Sequence, residues 1–367
     1  MLMKIKDIVE NFDSKRKPLN SNERGQISKE KKYPYYGANG ILDYIDDYIF
    51  DDELLCVAED GGNWNKFSQC SYIVNGKCWI NNHAHVLKPK PGINIKYLMH
   101  YLNYMDISKK ISGAVVPKLT QKSLNDLEIE IPDLETQNKI VEQLDDIELA
   151  ITNRKEAISL QEKLINSLYD RIFKGESTIK TLSDICEKIT DGSHNPPKGS
   201  EQKTEYFMLS SQNIINNVIT MVNARYISEE DFLKENKRTN IKPGDILLTI
   251  VGTVGRTSIV PENIGNITVQ RSVAVLKPKT EIDSLYLNYA LKNDFVFSQI
   301  QNNSKGVAQK GIYLQDLKKI KIKVPDWSSQ ENFSGKAQII NQEIDLLKKD
   351  VEKLNELLKI KMEESFN

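Results

Sequence analysis

The sequence is poor in cysteine, in long hydrophobic runs and in net charge, and each shortage narrows the possible functions. Its four cysteines (Cys56, Cys70, Cys78 and Cys186) show no CxxC spacing, which argues against a disulfide framework and predicts reduced thiols. The longest apolar runs, such as 246–251, fall far short of the ~20 residues that a membrane-spanning helix needs. The first residues carry no apolar signal stretch, so we expect a cytoplasmic protein that does not bind membranes.

The net charge of −1 argues at first against a nucleic-acid-binding protein, but the charges are unevenly distributed. Residues 1–134 carry 18 basic and 18 acidic side chains, whereas residues 177–326 carry 20 and 16. The acidic excess lies in residues 135–176, with 6 basic and 9 acidic side chains, and in residues 327–367, with 6 and 8. A net charge of +4 in the third segment supports a partial phosphate footprint, not tight binding by the chain alone.

An internal repeat organises the chain. Residues 123–137 (SLNDLEIEIPDLETQ) correspond to residues 316–330 (DLKKIKIKVPDWSSQ) at an offset of 193. Both segments predict an alternating strand closed by Pro-Asp, followed by a polar cap and a helix. Upstream, HVLKP at 85–89 corresponds to AVLKP at 274–278, and residues 5–8 correspond to 182–185. The chain is therefore one unit of roughly 180–190 residues present twice.

A long helix with heptad spacing follows each Pro-Asp, and ~40 helical residues span roughly 60 Å. Arg154 and Gln161 interrupt the apolar stripe of the first helix. Each helix could lie on its own domain, but the duplicated stripes favour two helices that pack on each other, antiparallel, as a spacer. The predicted pairing positions are Leu144, Ile147, Ile151, Ile158, Ile165, Ile344, Leu347, Val351, Leu354 and Leu358.

These patterns predict an α+β protein with two β-rich modules in tandem, each followed by a long helix. Module one covers residues 1–134 and its helix 135–176; module two covers 177–326 and its helix 327–367. Gly175 is the predicted stop of the first helix. Residues 52–58 and 244–251 read as equivalent strands that enter glycine-containing turns, and short helices are expected near 95–104 and 284–292.

The usual catalytic signatures are incomplete. Asn195-Pro196-Pro197 begins like the motif of adenine methyltransferases, but Lys198 stands where an aromatic residue must stack on the flipped base. The turn 252–256 lacks the third glycine of a dinucleotide site and the Gly-Lys-Ser/Thr of a phosphate loop. Cys70, Cys78, His83 and His85 match no common zinc spacing. We expect no catalytic residues, no metal and no cofactor.

Polar and aromatic loops are the remaining chemistry. Asn, Gln, Arg and Lys read base edges, and Ser, Thr and Lys contact phosphates. For any single residue in these loops, the simplest interpretation is an ordinary solvated side chain. Taken together as sets, however, the clusters favour contact with DNA. The candidates in module one are Lys15, Arg16, Lys17, Asn63, Trp64, Lys66, Asn82, Lys118, Thr120 and Gln121. Those in module two are Ser193, His194, Asn195, Lys198, Gln212, Asn213, Thr253, Arg256, Gln270, Arg271, Lys310 and Tyr313.

The duplicated order of motifs resembles the specificity subunits of Type I restriction–modification enzymes. The segments that carry the resemblance are 79–89, 244–256 and both strand-Pro-Asp segments with Gln137 and Gln330. The resemblance covers essentially the whole chain. It implies that each module is a target recognition domain reading one half of a bipartite sequence in double-stranded DNA. It also implies that the helices set the spacer and dock two methyltransferase subunits, to which motor–nuclease subunits can be added.

Three other interpretations remain open. The chain could be the recognition subunit of a related Type II system that cuts on both sides of its site, a coiled-coil scaffold with no DNA role, or a self-sufficient methyltransferase. Module one has EDGGNW at 59–64 where module two has GTVGR at 252–256. Base-reading roles therefore cannot be transferred from one module to the other.

Overall fold

The computed structural model describes residues 1–113, 115–173, 178–215, 217–306 and 310–367. They form two compact units: unit 1 is Met1–Glu156 with Leu347–Asn367, and unit 2 is Ala157–Leu346. Each unit contains one module and parts of both long helices. The predicted domain boundaries at 134, 176 and 326 stay predictions, and Gly175 and the boundary at 176 lie outside the described residues.

Unit 1 is built on two four-stranded sheets. Its elements in chain order are β1 (Leu2–Lys4), α1 (Ile5–Ile8), β2 (Val9–Asn11), α2 (Ser21–Gln26), β3 (Tyr33–Gly37), β4 (Gly40–Ile45), β5 (Phe50–Asp51), β6 (Leu54–Ala58), β7 (Ser71–Val74), β8 (Lys77–Ile80), β9 (Ala84–Pro89), α3 (Ile95–Tyr104), α4 (Gln121–Asn125), β10 (Glu128–Glu130) and α5 (Leu134–Ile172), whose last part belongs to unit 2. The sheets have the strand orders β2-β9-β6-β7 and β4-β3-β8-β5, and β1 pairs with β10.

Unit 2 has a four-stranded sheet of order β12-β20-β17-β18 and a three-stranded sheet of order β16-β13-β19. Its elements are β11 (Thr178–Thr181), α6 (Leu182–Ile185), β12 (Cys186–Asp191), β13 (Tyr206–Leu209), β14 (Ile214–Ile215), β15 (Val218–Ile219), β16 (Arg225–Tyr226), α7 (Glu229–Thr239), β17 (Ile246–Thr249), β18 (Thr257–Ile259), β19 (Asn266–Val269), β20 (Val273–Pro278), α8 (Ser284–Ala290), α9 (Asp294–Asn302), α10 (Leu314–Leu317), β21 (Lys321–Val324) and α11 (Trp327–Phe366), whose last part belongs to unit 1.

The two strands predicted to be equivalent occupy equivalent places. β6 lies between β7 and β9, and β17 lies between β18 and β20, with antiparallel pairing throughout. All five residues of β6 and all four of β17 are buried, which explains why both read as continuous apolar runs. The predicted short helices are α3 and α8. The α+β tandem repeat is thus confirmed.

The strand-Pro-Asp segment fastens each long helix to its module. Asp133 and Asp326 are the N-caps: each accepts a backbone N–H bond at 2.9 Å, from Thr136 and Ser329 respectively. Just inside each helix, the Gln137 and Gln330 side chains are 0% and 1% exposed. The local pattern of the sequence therefore encodes both the start of each helix and its attachment.

The two buried glutamines make the same hydrogen bonds in the two units. Gln137 Oε1 accepts from the Asn94 backbone at 2.8 Å, and its Nε2 donates to Pro132 O at 2.9 Å. Gln330 Oε1 accepts from the Asp283 backbone at 3.0 Å, and its Nε2 donates to Pro325 O at 3.0 Å. Each amide thereby pairs buried backbone groups of two separate segments.

Replacing Gln330 by leucine is expected to destabilise unit 2 by about 1–3 kcal/mol, because buried backbone groups lose their partners. Chemical denaturation followed by circular dichroism measures the change. The matched control is Gln342→Leu, at an exposed position of the same helix. Equal midpoints for the two variants would contradict the role given to Gln330.

Within each unit, one part of α5 packs antiparallel to one part of α11. In unit 1, Leu144 shares a core with Met362 and Phe366, and further along Arg154 Nε lies 3.8 Å from Asp350 Oδ2. The ten predicted pairing positions are all buried or half-buried. The order of these contacts runs forward along α5 and backward along α11, as an antiparallel pair requires.

Unit 2 repeats this arrangement with the other halves of the helices. Ile165 shares a core with Phe333 and Ile344, and Gln161 Nε2 donates to Glu343 Oε2 at 2.9 Å. The two polar residues that interrupt the apolar stripe therefore interact across the helix pair within their own units: Arg154 forms a salt bridge and Gln161 a hydrogen bond.

Among the described residues, none of the helices is long and apolar enough to cross a membrane.

Candidate nucleic-acid interface

The polar clusters of module two meet where several strands end. After β19, the backbone N–H of Gln270 donates to Leu209 O at the end of β13 (2.8 Å). The N–H of Arg271 donates to Ser193 O just beyond β12 (2.9 Å). The Ser211 N–H donates to Ser272 Oγ at 3.1 Å. Three clusters that lie far apart in the sequence are therefore joined by hydrogen bonds.

The glycine turn after β17 adds the remaining two clusters. Gly252 has φ +83° and its N–H donates to Lys310 O at 2.9 Å, which joins the turn to the 310–313 loop. A Cβ on Gly252 would lie 3.8 Å from Ser211 Oγ, which places the turn against the 210–213 cluster. Gly255 has φ +101°, and a Cβ there would come within 2.6 Å of the Phe297 ring. Both glycines are therefore needed for this turn.

The resulting surface, which we call loop cluster 2, comprises residues 191–195, 209–213, 250–256, 269–272 and 310–313. Arg256, Arg271 and Lys310 are exposed, and none of the three forms a salt bridge with another residue that the structure describes. Tyr313 is 68% exposed. His194, Asn195, Lys198, Gln212 and Thr253 are also exposed, Gln270 is half-buried, and Ser193 is buried. Loop cluster 2 thus presents unpaired cations and amides from several loops on one surface.

The clusters of module one meet in the same way at the ends of β6, β9 and β2. The Glu59 N–H donates to His83 O at 2.9 Å, and Glu59 O accepts from the Leu119 N–H at 2.8 Å. Arg16 Nη1 donates to Ala84 O at 2.8 Å. Loop cluster 1 comprises residues 12–17, 59–66, 81–85 and 116–121. Lys15, Lys17, Asn63, Asn82 and Gln121 are exposed on it.

Two cations of loop cluster 1, Arg16 and Lys118, pair with one acid, Glu59, whereas Lys15 and Lys17 form no salt bridge with another described residue. Arg16 Nη1 and Lys118 Nζ each form a salt bridge with the Glu59 carboxylate at 2.5 Å. Burial acts to raise the pKa of Glu59, but hydrogen bonds from Lys118 and Arg16 outweigh it and hold the pKa below its ordinary value. Glu59 is therefore a carboxylate at neutral pH. His85, which is 1% exposed, has Nδ1 2.6 Å from Asp13 Oδ2 and 3.6 Å from Glu59 Oε2.

Two of the predicted DNA-contacting side chains are instead structural. Trp64 is 7% exposed, its Nε1 donates to Ala58 O at 3.2 Å, and its ring belongs to the core of unit 1. Asn213 is 2% exposed, with its amide donating to Thr220 O and Val222 O at 3.0 and 3.1 Å. Buried side chains whose polar atoms are already bonded cannot reach a base edge, so these two predictions of direct contact are corrected.

In module one, Thr120 and Lys66 have structural partners in addition to an accessible position. Thr120 is the N-cap of α4 and accepts from the Ser123 N–H at 3.1 Å. Lys66 pairs with Glu363 at 3.0 Å, near the end of α11. Their predicted DNA contacts stay predictions, but each contact would have to coexist with a bond that holds unit 1 together.

Sequence reasoning missed Asp13, His85 and Glu59 as members of the site. One signal was present in the repeat, because His85 stands at the position of Ala274, which is completely buried in unit 2. A histidine in place of a buried alanine indicates a polar partner nearby. Its two acidic partners, however, precede it on other loops and share no local pattern with it.

Within the part of the chain that the structure describes, two groups of side chains have donor atoms close enough for a metal ion: Asp13, Glu59 and His85, and His100, Asp145 and Glu148. In the first group Arg16 and Lys118 already neutralise Glu59, and in the second Lys96 bonds Asp145 at 2.5 Å. Because lysine and arginine side chains already pair with these carboxylates, both groups are better explained as ion-pair networks than as metal sites.

The cysteines are free and buried, and Cys70 Sγ donates to Leu102 O at 3.4 Å.

Comparison with known proteins places this duplicated fold in a family. The family described as Type I restriction modification DNA specificity domain matches the chain twice, at residues 1–161 and 174–357. A putative Type I restriction enzyme specificity subunit from Haemophilus influenzae is 31% identical over 354 residues, covering 90% of this chain and 84% of that protein. The EcoBI specificity subunit from Escherichia coli is 25% identical, covering 70% of this chain and 61% of that protein. The chain belongs to the family of Type I restriction–modification DNA specificity subunits.

Solved structures share the fold. The S subunit of a Type I restriction–modification system from M. genitalium matches with a TM-score of 0.61 at 15% identity, covering 100% of this chain and 96% of that one. The likeness extends over both units and both long helices. Since the sequences have diverged so far, this likeness supports the fold and not the individual contact residues.

Proposed function

We propose that each unit reads one half of a bipartite target in double-stranded DNA, through loop clusters 1 and 2. The observation that carries the proposal is the convergence of the polar clusters. In each unit, loops distant in the sequence meet at the ends of neighbouring strands, bringing cations and amides together on one surface. Such a surface can combine phosphate contacts with base-edge contacts from several loops.

We also propose that the long helices dock two methyltransferase subunits. The exposed residues of α5 and α11 include large apolar side chains in both units: Leu149, Leu357 and Ile360 in unit 1, and Leu160, Leu164, Ile339 and Leu346 in unit 2. Leu164 and Leu357 correspond at the offset of 193 that relates the repeats. This related pair, together with further exposed apolar side chains on both helices, suits two copies of one partner.

In this proposal, methyl transfer belongs to the docked subunits, and ATP hydrolysis and cleavage belong to any motor–nuclease subunits that join them. This chain supplies recognition in the cytoplasm and carries no reaction itself. The modest charge of the modules is consistent with a recognition subunit whose partners contribute part of the affinity for DNA.

Methylation mapping of host DNA tests this function directly. With the gene intact, a bipartite methylated motif is expected, and with the gene deleted that motif should disappear. Complementation with the gene should restore it. An unchanged methylome in the deletion strain, with the methyltransferase still expressed, contradicts the proposal.

Exchanging module two for a module of another family member is expected to change one half of the methylated motif and leave the other half intact. The reason is that the reading loops of each unit are held by that unit's own sheets. Methylome sequencing of the exchanged strain gives the result. A change in both halves, with the hybrid folded and active, would argue against independent reading.

A further inference from the structure

Glu59 occupies the centre of loop cluster 1. Its side chain is 9% exposed, with Oε2 bonded to Arg16 and Oε1 bonded to Lys118. Its backbone is fixed on both sides by the bonds to His83 O and from the Leu119 N–H. A rigidly held carboxylate therefore takes up two of the cations that the sequence offers for DNA contact.

The corresponding position of unit 2 is apolar. The Leu119 N–H bonds to Glu59 O, and the N–H of Ile312, which corresponds to Leu119 in the repeat, bonds to Ile250 O at 2.9 Å. Ile250 is therefore the counterpart of Glu59, and it is 3% exposed within the core of unit 2. Among the described residues, Arg256, Arg271 and Lys310 of loop cluster 2 form no salt bridge. The acid of that cluster, Asp191, pairs instead with His194 and Arg238, so the two units present different electrostatics.

The two cations on Glu59 are held with different strength. Arg16 has a side chain 13% exposed, donates also to Ala84 O, and lies 3.4 Å from Asp13. Lys118 has a side chain 45% exposed, and Glu59 is its one salt-bridge partner among the described residues. Because a lysine side chain turns about several single bonds, Lys118 Nζ can leave Glu59 without moving the backbone, whereas Arg16 remains anchored.

We propose that Glu59 is a specificity-determining residue that competes with DNA for Lys118; this inference rests on the proposed function. The carboxylate offers Lys118 the same acceptor chemistry as a phosphate oxygen. Exchanging one ion pair for another gives little net gain, so a random duplex binds loop cluster 1 weakly. Only a duplex that also satisfies the base-reading loops recovers the loss. Glu59 stays compensated after the exchange, because Arg16 Nη1 remains bonded to its carboxylate.

Replacing Glu59 by glutamine frees Lys118 and should tighten binding to DNA of random sequence. We expect the full chain carrying E59Q to bind a random-sequence duplex several-fold more tightly at moderate salt. The slope of log K against log salt should steepen by about 0.9, the value for one additional phosphate contact. Fluorescence anisotropy at a series of salt concentrations measures both. The matched control is Glu128→Gln, which removes the same charge from an exposed position on β10 of the same unit.

A second substitution separates competition for Lys118 from a general loss of negative charge. In the E59Q background, Lys118→Met should cancel the gain in affinity and return the slope towards that of the parent chain. Equal tightening by E128Q, or a gain in E59Q that K118M leaves intact, overturns the inference. So does binding by a folded E59Q chain that is unchanged or weaker. If the parent chain, assembled with its methyltransferase subunits, does not bind duplex DNA at any salt concentration, it is the proposed function that fails.

Discussion

Replacing Phe333 by alanine is expected to lower the stability of unit 2 by about 3–5 kcal/mol, the largest single effect on folding that we predict. Phe333 is fully buried, and its ring centroid lies 5.4–5.5 Å from those of Tyr169, Phe173 and Tyr289. Tyr169 lies on α5, Phe173 directly after the end of α5, and Tyr289 on α8, whereas Phe333 itself lies on α11. The substitution therefore opens a cavity at the point where the helix pair meets the module.

Chemical denaturation of the full chain, followed by near-ultraviolet circular dichroism, measures the loss. The matched control is Ile339→Ala, since Ile339 is 61% exposed on the same helix and its truncation should cost less than about 0.5 kcal/mol. Similar losses from the two variants would mean that Phe333 does not anchor the helix pair in unit 2.

Removing both exposed arginines of loop cluster 2, with Arg256→Ala and Arg271→Ala together, is expected to give the largest loss of function. Each contact of this type contributes about 1–3 kcal/mol, so the pair should weaken DNA binding by at least ~30-fold. Their side chains are exposed, so the fold should be retained. The measurements are DNA affinity at several salt concentrations and the methylome of a host carrying the variant.

The control for this prediction is Arg171→Ala, an exposed arginine on α5 in the same unit. It removes one positive charge outside loop cluster 2 and should leave affinity within about twofold. A coiled-coil scaffold with no DNA role predicts that the double variant binds and modifies DNA as the parent does. That result would refute the interface proposed for unit 2.

The order of elements was predictable because its signals are local. The Pro-Asp segments predicted the starts of the two long helices, which begin at Leu134 and Trp327. The heptad spacing predicted their length, and the helices end at Ile172 and Phe366. Helix caps and heptads depend on residues a few positions apart, so one sequence is enough to read them. The repeat strengthened each reading, because the same signals occur twice at one offset.

The site was predictable as a set of loops but not residue by residue. Asn213 and Gln212 are neighbours in one polar cluster, yet only Gln212 is exposed. The Asn213 side chain is buried, and its amide donates hydrogen bonds to backbone oxygens of its own loop. Trp64 was one of the predicted DNA-contacting residues and belongs instead to the core. Composition identifies which residues are able to contact DNA, whereas burial decides which of them are free to do so.

By itself, the sequence determined that the protein has two copies of one β-rich module, each joined to a long helix, because repeats and periodicities are properties of neighbouring residues. Only the tertiary structure decided how charge is arranged at the reading surfaces. Arg16 and Lys118 lie far from Glu59 in the sequence, one before it and one after it, yet both bond its carboxylate. Ile250 takes the same place in unit 2. Such pairings depend on which loops the sheets bring together, and residues that meet only through the fold leave no local pattern to read.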